Sequence, residues 1–103
     1  MLENRDYCDY ETCVTLEELG FSIRIIKVKG EEKHVPILLY EAQKFLREKK
    51  LLHIVIDKLL YGAYEFSVVD ILNYSEEKNG TANSYEEALS EGIKEAVKIL
   101  KED

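Results

Sequence analysis

The chain has 103 residues, 46% of them hydrophobic and 34% charged, with a single proline and a formal net charge of −7. That length supports one hydrophobic core, so residues 1–103 read as a single domain, and the composition excludes a disordered tail. The negative balance disfavours nucleic-acid backbones and anionic lipid surfaces, and the apolar runs are too short for a membrane span.

In chain order, the first predicted element is a short helix capped by Asp9 or Thr12 and running through Leu19, with Gly20 placed as its left-handed terminator. Phe21 to Val28 alternates apolar and polar residues until Ile25-Ile26, where the phase slips by one as in a bulge, and predicts strand one. Gly30-Glu-Glu-Lys reads as a polar turn. Pro36 fits the first turn of a second helix, whose stripe is Leu38, Leu39, Ala42, Phe45 and Leu46 and whose end falls near Lys49 or Lys50. Tyr40 points away from that stripe, either exposed or packed on another element.

Leu52 to Asp57 is strongly β-forming, Lys58 to Leu60 reads as a turn, and Tyr61 to Leu72 as the returning strand. The tip lacks Asn-Gly or Asp-Gly, which leaves the register of this hairpin open. Asn73 to Asn83 is polar and turn-rich, with a short edge strand around Asn73 to Glu76 as an open alternative.

The closing helix is the best specified element. Ser84 and Glu87 have capping-box spacing, Glu86, Glu87 and Glu91 precede Lys94, Lys98 and Lys101, and Tyr85, Leu89, Ile93, Ala96 and Leu100 form a broad stripe with Ala88, Val97 and Ile99. Gly92 lies on that stripe and points to a close approach by a strand, or to a tolerated glycine. The order α-β-α-β-β-(β)-α predicts an α+β, two-layer fold, with three helices on a small antiparallel sheet of three or four strands.

Chemistry is sparse. Cys8 and Cys13 fit neither a secreted disulfide framework nor a Cys-x-x-Cys redox pair and read as reduced thiols. Adding His34 and His53 completes no usual zinc spacing, so neither a metal nor another cofactor is called. If the helices cover one face of the sheet, His53, Asp57, Glu65 and Ser67 are placed to line the other, where an acid, a base and a hydroxyl invite a ligand or catalytic reading. Seven tyrosines without a tryptophan point to protein contact, with Tyr40, Tyr61, Tyr64 and Tyr74 as candidates beside His53 and Glu65. The opposing reading is that strands favour tyrosine and that half of these pack inward.

His34-Val-Pro, Glu41 to Lys49, Ile54-Val-Ile, Gly62-Ala-Tyr-Glu-Phe and Ser84 to Ala96 together resemble small uncharacterised proteins of gut-bacterial phages and mobile elements. In that group a proline precedes a helix ending in a Trp-Leu-Arg-Glu-like motif, and a Tyr-Glu-Glu-Ala-Leu helix closes the chain; Phe45 stands here at the tryptophan position. The resemblance implies no activity and transfers no site residues. Asn79-Gly-Thr with Tyr85-Glu-Glu-Ala-Leu also resembles the sheet-to-helix junction of HicB-type antitoxins, which are small, acidic and bind a toxin, although the glycine-cysteine segment before that junction has no counterpart. From Pro36 onward the element order is similar to that of double-stranded RNA-binding domains, but the acidic balance and the missing lysine cluster at the last helix argue against RNA.

The expectation is a cytoplasmic, non-enzymatic accessory protein of phage or mobile-element origin that acts by contact with a protein partner, with a second copy of itself among the candidates. The cytoplasmic reading follows from an amino terminus, Met1 to Asp6, without a basic-then-apolar signal pattern. The alternatives are a small-ligand or catalytic protein using the open sheet face, and a HicB-like antitoxin or acidic inhibitor.

Overall fold

The computed structural model describes residues 3–22 and 24–102. It is an α+β fold of three helices with two antiparallel sheets, one of two strands and one of three. The elements in chain order are α1 (Tyr10–Glu18), β1 (Ile25–Val28), β2 (Glu31–His34), α2 (Leu39–Lys49), β3 (Leu52–Lys58), β4 (Tyr64–Asp70), β5 (Ser75–Ala82) and α3 (Tyr85–Lys101).

Helix α1 starts on Asp9, whose carboxylate accepts from the Thr12 backbone at 2.8 Å, and ends in a Schellman motif. There the Phe21 N–H reaches the Leu16 carbonyl at 2.9 Å and the Gly20 N–H the Glu17 carbonyl at 3.1 Å, with Gly20 at φ +111°. Asp9 also meets Lys94 at 3.3 Å, tying α1 to α3. Its carboxyl is held below the usual carboxylate range, chiefly by its hydrogen bonds to Thr12 and then by Lys94.

The predicted strand one becomes half of a separate hairpin. Ile23 lies outside the described residues; from Ile25 to Val28 the chain pairs with Glu31 to His34, and Lys29 and Gly30, at φ 53° and 82°, make the two-residue loop. Both central residues have positive φ, as a type I′ hairpin turn requires. Gly30 to Lys33 is therefore not a polar turn but a turn residue followed by a strand, which adds one strand, β2, to an otherwise matching order. The register through Ile25 and Ile26 is regular, without the expected bulge, because no buried face on this ribbon imposes a phase.

Helix α2 begins at Leu39, so Pro36 lies ahead of the N-cap instead of in the first turn. Leu38 carries no capping oxygen; the Glu41 carboxylate reaches back and accepts from its N–H at 3.1 Å. The same carboxylate receives Arg24 at 2.7 Å, and Arg24 also donates to the Pro36 carbonyl, pinning the base of the β1–β2 ribbon to the start of α2. Leu39, Ala42 and Leu46 of the predicted stripe are buried, while Leu38 and Phe45 are half-buried, Phe45 edge-to-face with Phe21 at 5.4 Å between ring centres.

The main sheet runs in the order β3-β4-β5. Lys58 pairs with Tyr64, so the hairpin loop spans 59–63 instead of 58–60, and Tyr61 sits in that loop and not in the returning strand. The loop is closed by Leu59 N–H to Ala63 carbonyl at 2.8 Å, a bond that ends the ladder before Tyr61 can join it. At the other end β4 stops at Asp70, because its carboxylate accepts from the N–H groups of Leu72 and Asn73 and turns the chain back. The polar stretch that follows forms the full edge strand β5, longer than the short Asn73 to Glu76 alternative, with a bulge opposite Val68 and Val69.

Helix α3 lies over all three strands and packs on α2 and α1. Ser84 accepts from the Glu87 N–H at 3.1 Å; this half of the expected capping box is the one that forms. Ala88, Leu89, Gly92, Ile93, Ala96 and Val97 are buried along its underside. They meet Ile54 and Val68 of the sheet, Leu16 of α1 and Leu46 of α2 in one core. A methyl group added at Gly92 would sit 2.6 Å from Cγ2 of Ile54 and 3.4 Å from the Phe66 ring, so the helix and sheet touch where that side chain is missing.

Gly92→Ala is therefore expected to destabilise the fold. The clash with a fully buried Ile54 outweighs the helix preference of alanine, worth about 1 kcal/mol, because overpacking a rigid core costs typically about 1–3 kcal/mol and locally more. Urea unfolding followed by circular dichroism measures this; an unchanged or raised midpoint would contradict the close approach.

Candidate functional site

Among the described residues two surfaces are left without a covering layer, one face of the main sheet and the β1–β2 ribbon. The first is the sheet face opposite α3. Leu52, Ile54, Phe66 and Val68 point into the core, so the residues between them point the other way. The register places His53 beside Val69, Val55 beside Ser67 and Asp57 beside Glu65, and continues across β5 with Ser67 beside Asn79 and Glu65 beside Thr81. Glu76 pairs with Val69 just before the bulge. The strand lysines, Lys58 and Lys78, alternate to the helix side, across from Tyr64 and Val68. The open face thus carries three carboxylates, Asp57, Glu65 and Glu76, and no lysine or arginine from the strands.

Among the described residues none of these three carboxylates lies in an ion pair. Asp57 and Glu65 face each other directly across two strands, an arrangement that like charges make unfavourable. The Glu76 carboxyl is held below the usual range by hydrogen bonds, first from Ser67 and then from Asn79 at 3.0 Å, and so is ionised at neutral pH. Val55 and Val69, diagonal neighbours, form a half-buried apolar strip between these charges.

His53 is half-buried at one end of the strip, and its Nδ1 is buried without a hydrogen-bond partner among the described residues. Burial first, and then the charge of Arg47, hold its pKa below the usual imidazole value. Glu65 is aligned with Asp57, four residues along β3 from His53, which is roughly 13 Å at strand spacing. Acid and base are thus on one face but out of hydrogen-bond reach. Tyr64 is not on this face at all: it points to the helix side and meets Tyr85 edge-to-face at 6.2 Å. The other predicted tyrosines are dispersed. Tyr61, 92% exposed, is in the β3–β4 loop, Tyr74, 88% exposed, is in the turn at the opposite end of the sheet, and Tyr40 is exposed on the first turn of α2. They form no single patch, because the strand length separates Tyr61 from Tyr74 and α2 carries Tyr40 away from both.

The second surface is the β1–β2 ribbon, which the reading of Gly30 to Lys33 as a turn had hidden. All eight strand residues are exposed, including Ile25, Ile26 and Val28. Val35 N–H to Arg24 carbonyl at 2.9 Å closes its base. Residues 24–34 hold Arg24, Lys27, Lys29 and Lys33 against Glu31 and Glu32, a positive surplus in a chain of net charge −7. The available signal is Lys29-Gly30 directly after the β-forming Ile25 to Val28, a weaker hairpin mark than Asn-Gly.

The cysteines are free. Cys8 is buried, and burial, reinforced by Cys13, pushes its thiol up to about 12. Burial also raises Cys13, whose Sγ donates to the Cys8 carbonyl at 3.7 Å. Both line a hollow of about 270 Å³ shared with Tyr10, Glu17 and His34, where His34 Nδ1 lies 3.8 Å from a Glu17 oxygen. Among the described residues no three His, Cys, Asp or Glu side chains gather in a metal-holding group. No helix of the described residues is long and apolar enough to cross a membrane.

No family model, curated protein or solved structure matches the chain.

Two measurements follow. With both thiols protonated at neutral pH, alkylation by iodoacetamide in the native state should be much slower than for free cysteine and should recover in denaturant; fast native labelling would contradict the placement of Cys8 in the core. His53 stays neutral in the fold at a pH where the unfolded imidazole, near pKa 6.5, takes up a proton. Stability should therefore decline as pH falls through 6.5 toward the lowered folded value, and His53→Gln should remove that part of the slope; identical pH profiles for the two proteins would refute it.

Proposed function

We propose that this chain is a non-enzymatic, cytoplasmic interaction protein of phage or mobile-element type whose working surface is the open face of the β3-β4-β5 sheet. One observation carries the reading: the register sends Asp57, Glu65 and Glu76 to the uncovered side and both strand lysines to the other. Asp57 and Glu65, face to face without a counter-ion among the described residues, are unfavourable in the free protein, and a cationic surface relieves them. The Val55 and Val69 strip supplies apolar area at the centre, and charged residues surround it, as in a protein contact. The partner class is therefore a basic protein surface. Nucleic acid and anionic lipid are repelled by the same charges.

This arrangement favours the acidic-inhibitor alternative over the catalytic one. An antitoxin-like protein needs an acidic contact face. A general acid–base site needs His53 and a carboxylate within hydrogen-bond reach, and the strand spacing keeps His53 and Glu65 apart.

The test is affinity capture from host lysate with the wild-type chain and with Asp57→Lys/Glu65→Lys, both folded by circular dichroism. The expected result is a basic protein captured by the wild type, released by high salt, and bound at least about tenfold more weakly by the variant. A captured set that is indifferent to both the substitution and the salt would sink the reading.

A further inference from the structure

The β1–β2 ribbon is the part of the molecule that its own fold does least to explain. Two-stranded ribbons alone are marginal in water, and this one places Ile25 and Ile26 at 51% exposure and Val28 at 44%. The molecule as a whole shows the consequence. Its accessible surface is 7048 Å², whereas a folded monomer of 12.0 kDa exposes about 6,000 Å². Its radius of gyration is 14.4 Å, against about 13 Å for a compact domain of this length. The excess, about 1,000 Å², is close to the roughly 800 Å² that one partner contributes to a standard stable interface.

The chemistry of the ribbon matches one other surface of the molecule. On one of its faces Ile26 and Val28 lie beside Lys33 and Glu31, their cross-strand neighbours, with Lys29 at the tip. The open sheet face offers Val55 and Val69 between unpaired carboxylates. We propose that the ribbon is an exchange arm: in a two-fold dimer, the arm of each copy lies on the open sheet face of the other. Ile26 and Val28 cover Val55 and Val69, and Lys29 and Lys33 approach Asp57, Glu65 and Glu76. Among the described residues Lys33 pairs with Glu31 at 3.5 Å, and this surface pair is readily exchanged for a partner's carboxylate. A two-fold axis makes the contact twice, so both copies lose their exposed arm and their unpaired acidic face together.

The inference rests on the open face being the working surface, and it names the cationic partner as a second copy of the chain. The docking face of the arm and its tip set Lys29 and Lys33 against Glu31, and this local positive surplus permits the contact between two copies that are otherwise both acidic. Its other face, with Ile25 and Lys27, takes no part in the contact.

The test uses the full chain in sedimentation velocity from micromolar to millimolar concentrations, with two double variants at exposed or half-exposed positions. Ile26→Asn/Val28→Asn removes the apolar face of the arm, and Asp57→Lys/Glu65→Lys reverses the sheet face. The wild type should be a dimer, and each variant alone should dissociate at least about tenfold more readily. Mixing the two variants should give a mixed dimer tighter than either variant forms alone, though weaker than the wild type, because one of its two contacts joins an intact arm to an intact face.

A wild type that stays monomeric throughout overturns the proposal, and so does a dimer that survives either double variant or variants that fail to complement. A monomeric wild type that still captures a basic host protein through Asp57 and Glu65 leaves the open-face reading standing while removing this one. A dimer lost with the arm variant but retained with the face variant shows the arm seated elsewhere and overturns it equally.

Discussion

The contact on which the molecule depends is the bare backbone of Gly92 against Ile54 and Phe66. A helix normally stands off a sheet by the width of its own side chains. Here the missing side chain lets α3 settle on the middle of the sheet, and the flanking Leu89, Ile93 and Ala96 reach down on either side. The fully buried Ile54, Val68 and Ile93 are packed by that closeness. Helix α3 in turn receives α1 through Asp9 and Lys94, and α2 through their shared core. Displacing α3 outward would thus loosen both other helices as well as the sheet.

Covering one side of a three-stranded sheet this fully leaves the other side without a layer. Helix α2 does not fill it; it lies along β3, where Gln43 donates to the Ile54 carbonyl at 2.8 Å and satisfies part of the sheet's edge. At the opposite edge β5 carries Glu76, Glu77, Lys78 and a bulge, features that discourage another strand from adding there. The polar edges and the acidic open face therefore have different characters: the edges resist strand addition, whereas the face presents alternating side chains without a covering layer among the described residues.

The closing helix was legible because its signals are local. Ser84, the glutamate-to-lysine gradient and the apolar stripe all act within a few turns of one another, and the structure bears out the helix, its underside and the close approach at Gly92. The main hairpin was legible as an element but not in its ends. Asp70 turned the chain through side-chain bonds to the Leu72 and Asn73 backbone, and Leu59 closed the loop on Ala63, and neither bond announces itself in residue type. Residues 30–33 read as a turn because Gly-Glu-Glu-Lys has a turn-like composition. Residues 31–34 are a strand because the Lys29-Gly30 turn hands them to β1.

The candidate surfaces divide in the same way. Alternation alone placed His53, Asp57, Glu65 and Ser67 on one side of a strand pair, since a period of two needs no tertiary knowledge. Tyr64, the strand neighbour of Glu65, goes to the opposite face by the same alternation, and the register puts it across from Lys58 and beside Tyr85. The sequence by itself determined the acidic balance, the three helices and the alternating chemistry of β3 and β4. Only the tertiary structure decided which side of that sheet stayed open, that β1 and β2 would stand apart from it, and that the tyrosines would scatter. The physical reason is that these outcomes depend on how one glycine lets α3 sit and on how loops fix register, which are contacts between residues far apart in the chain.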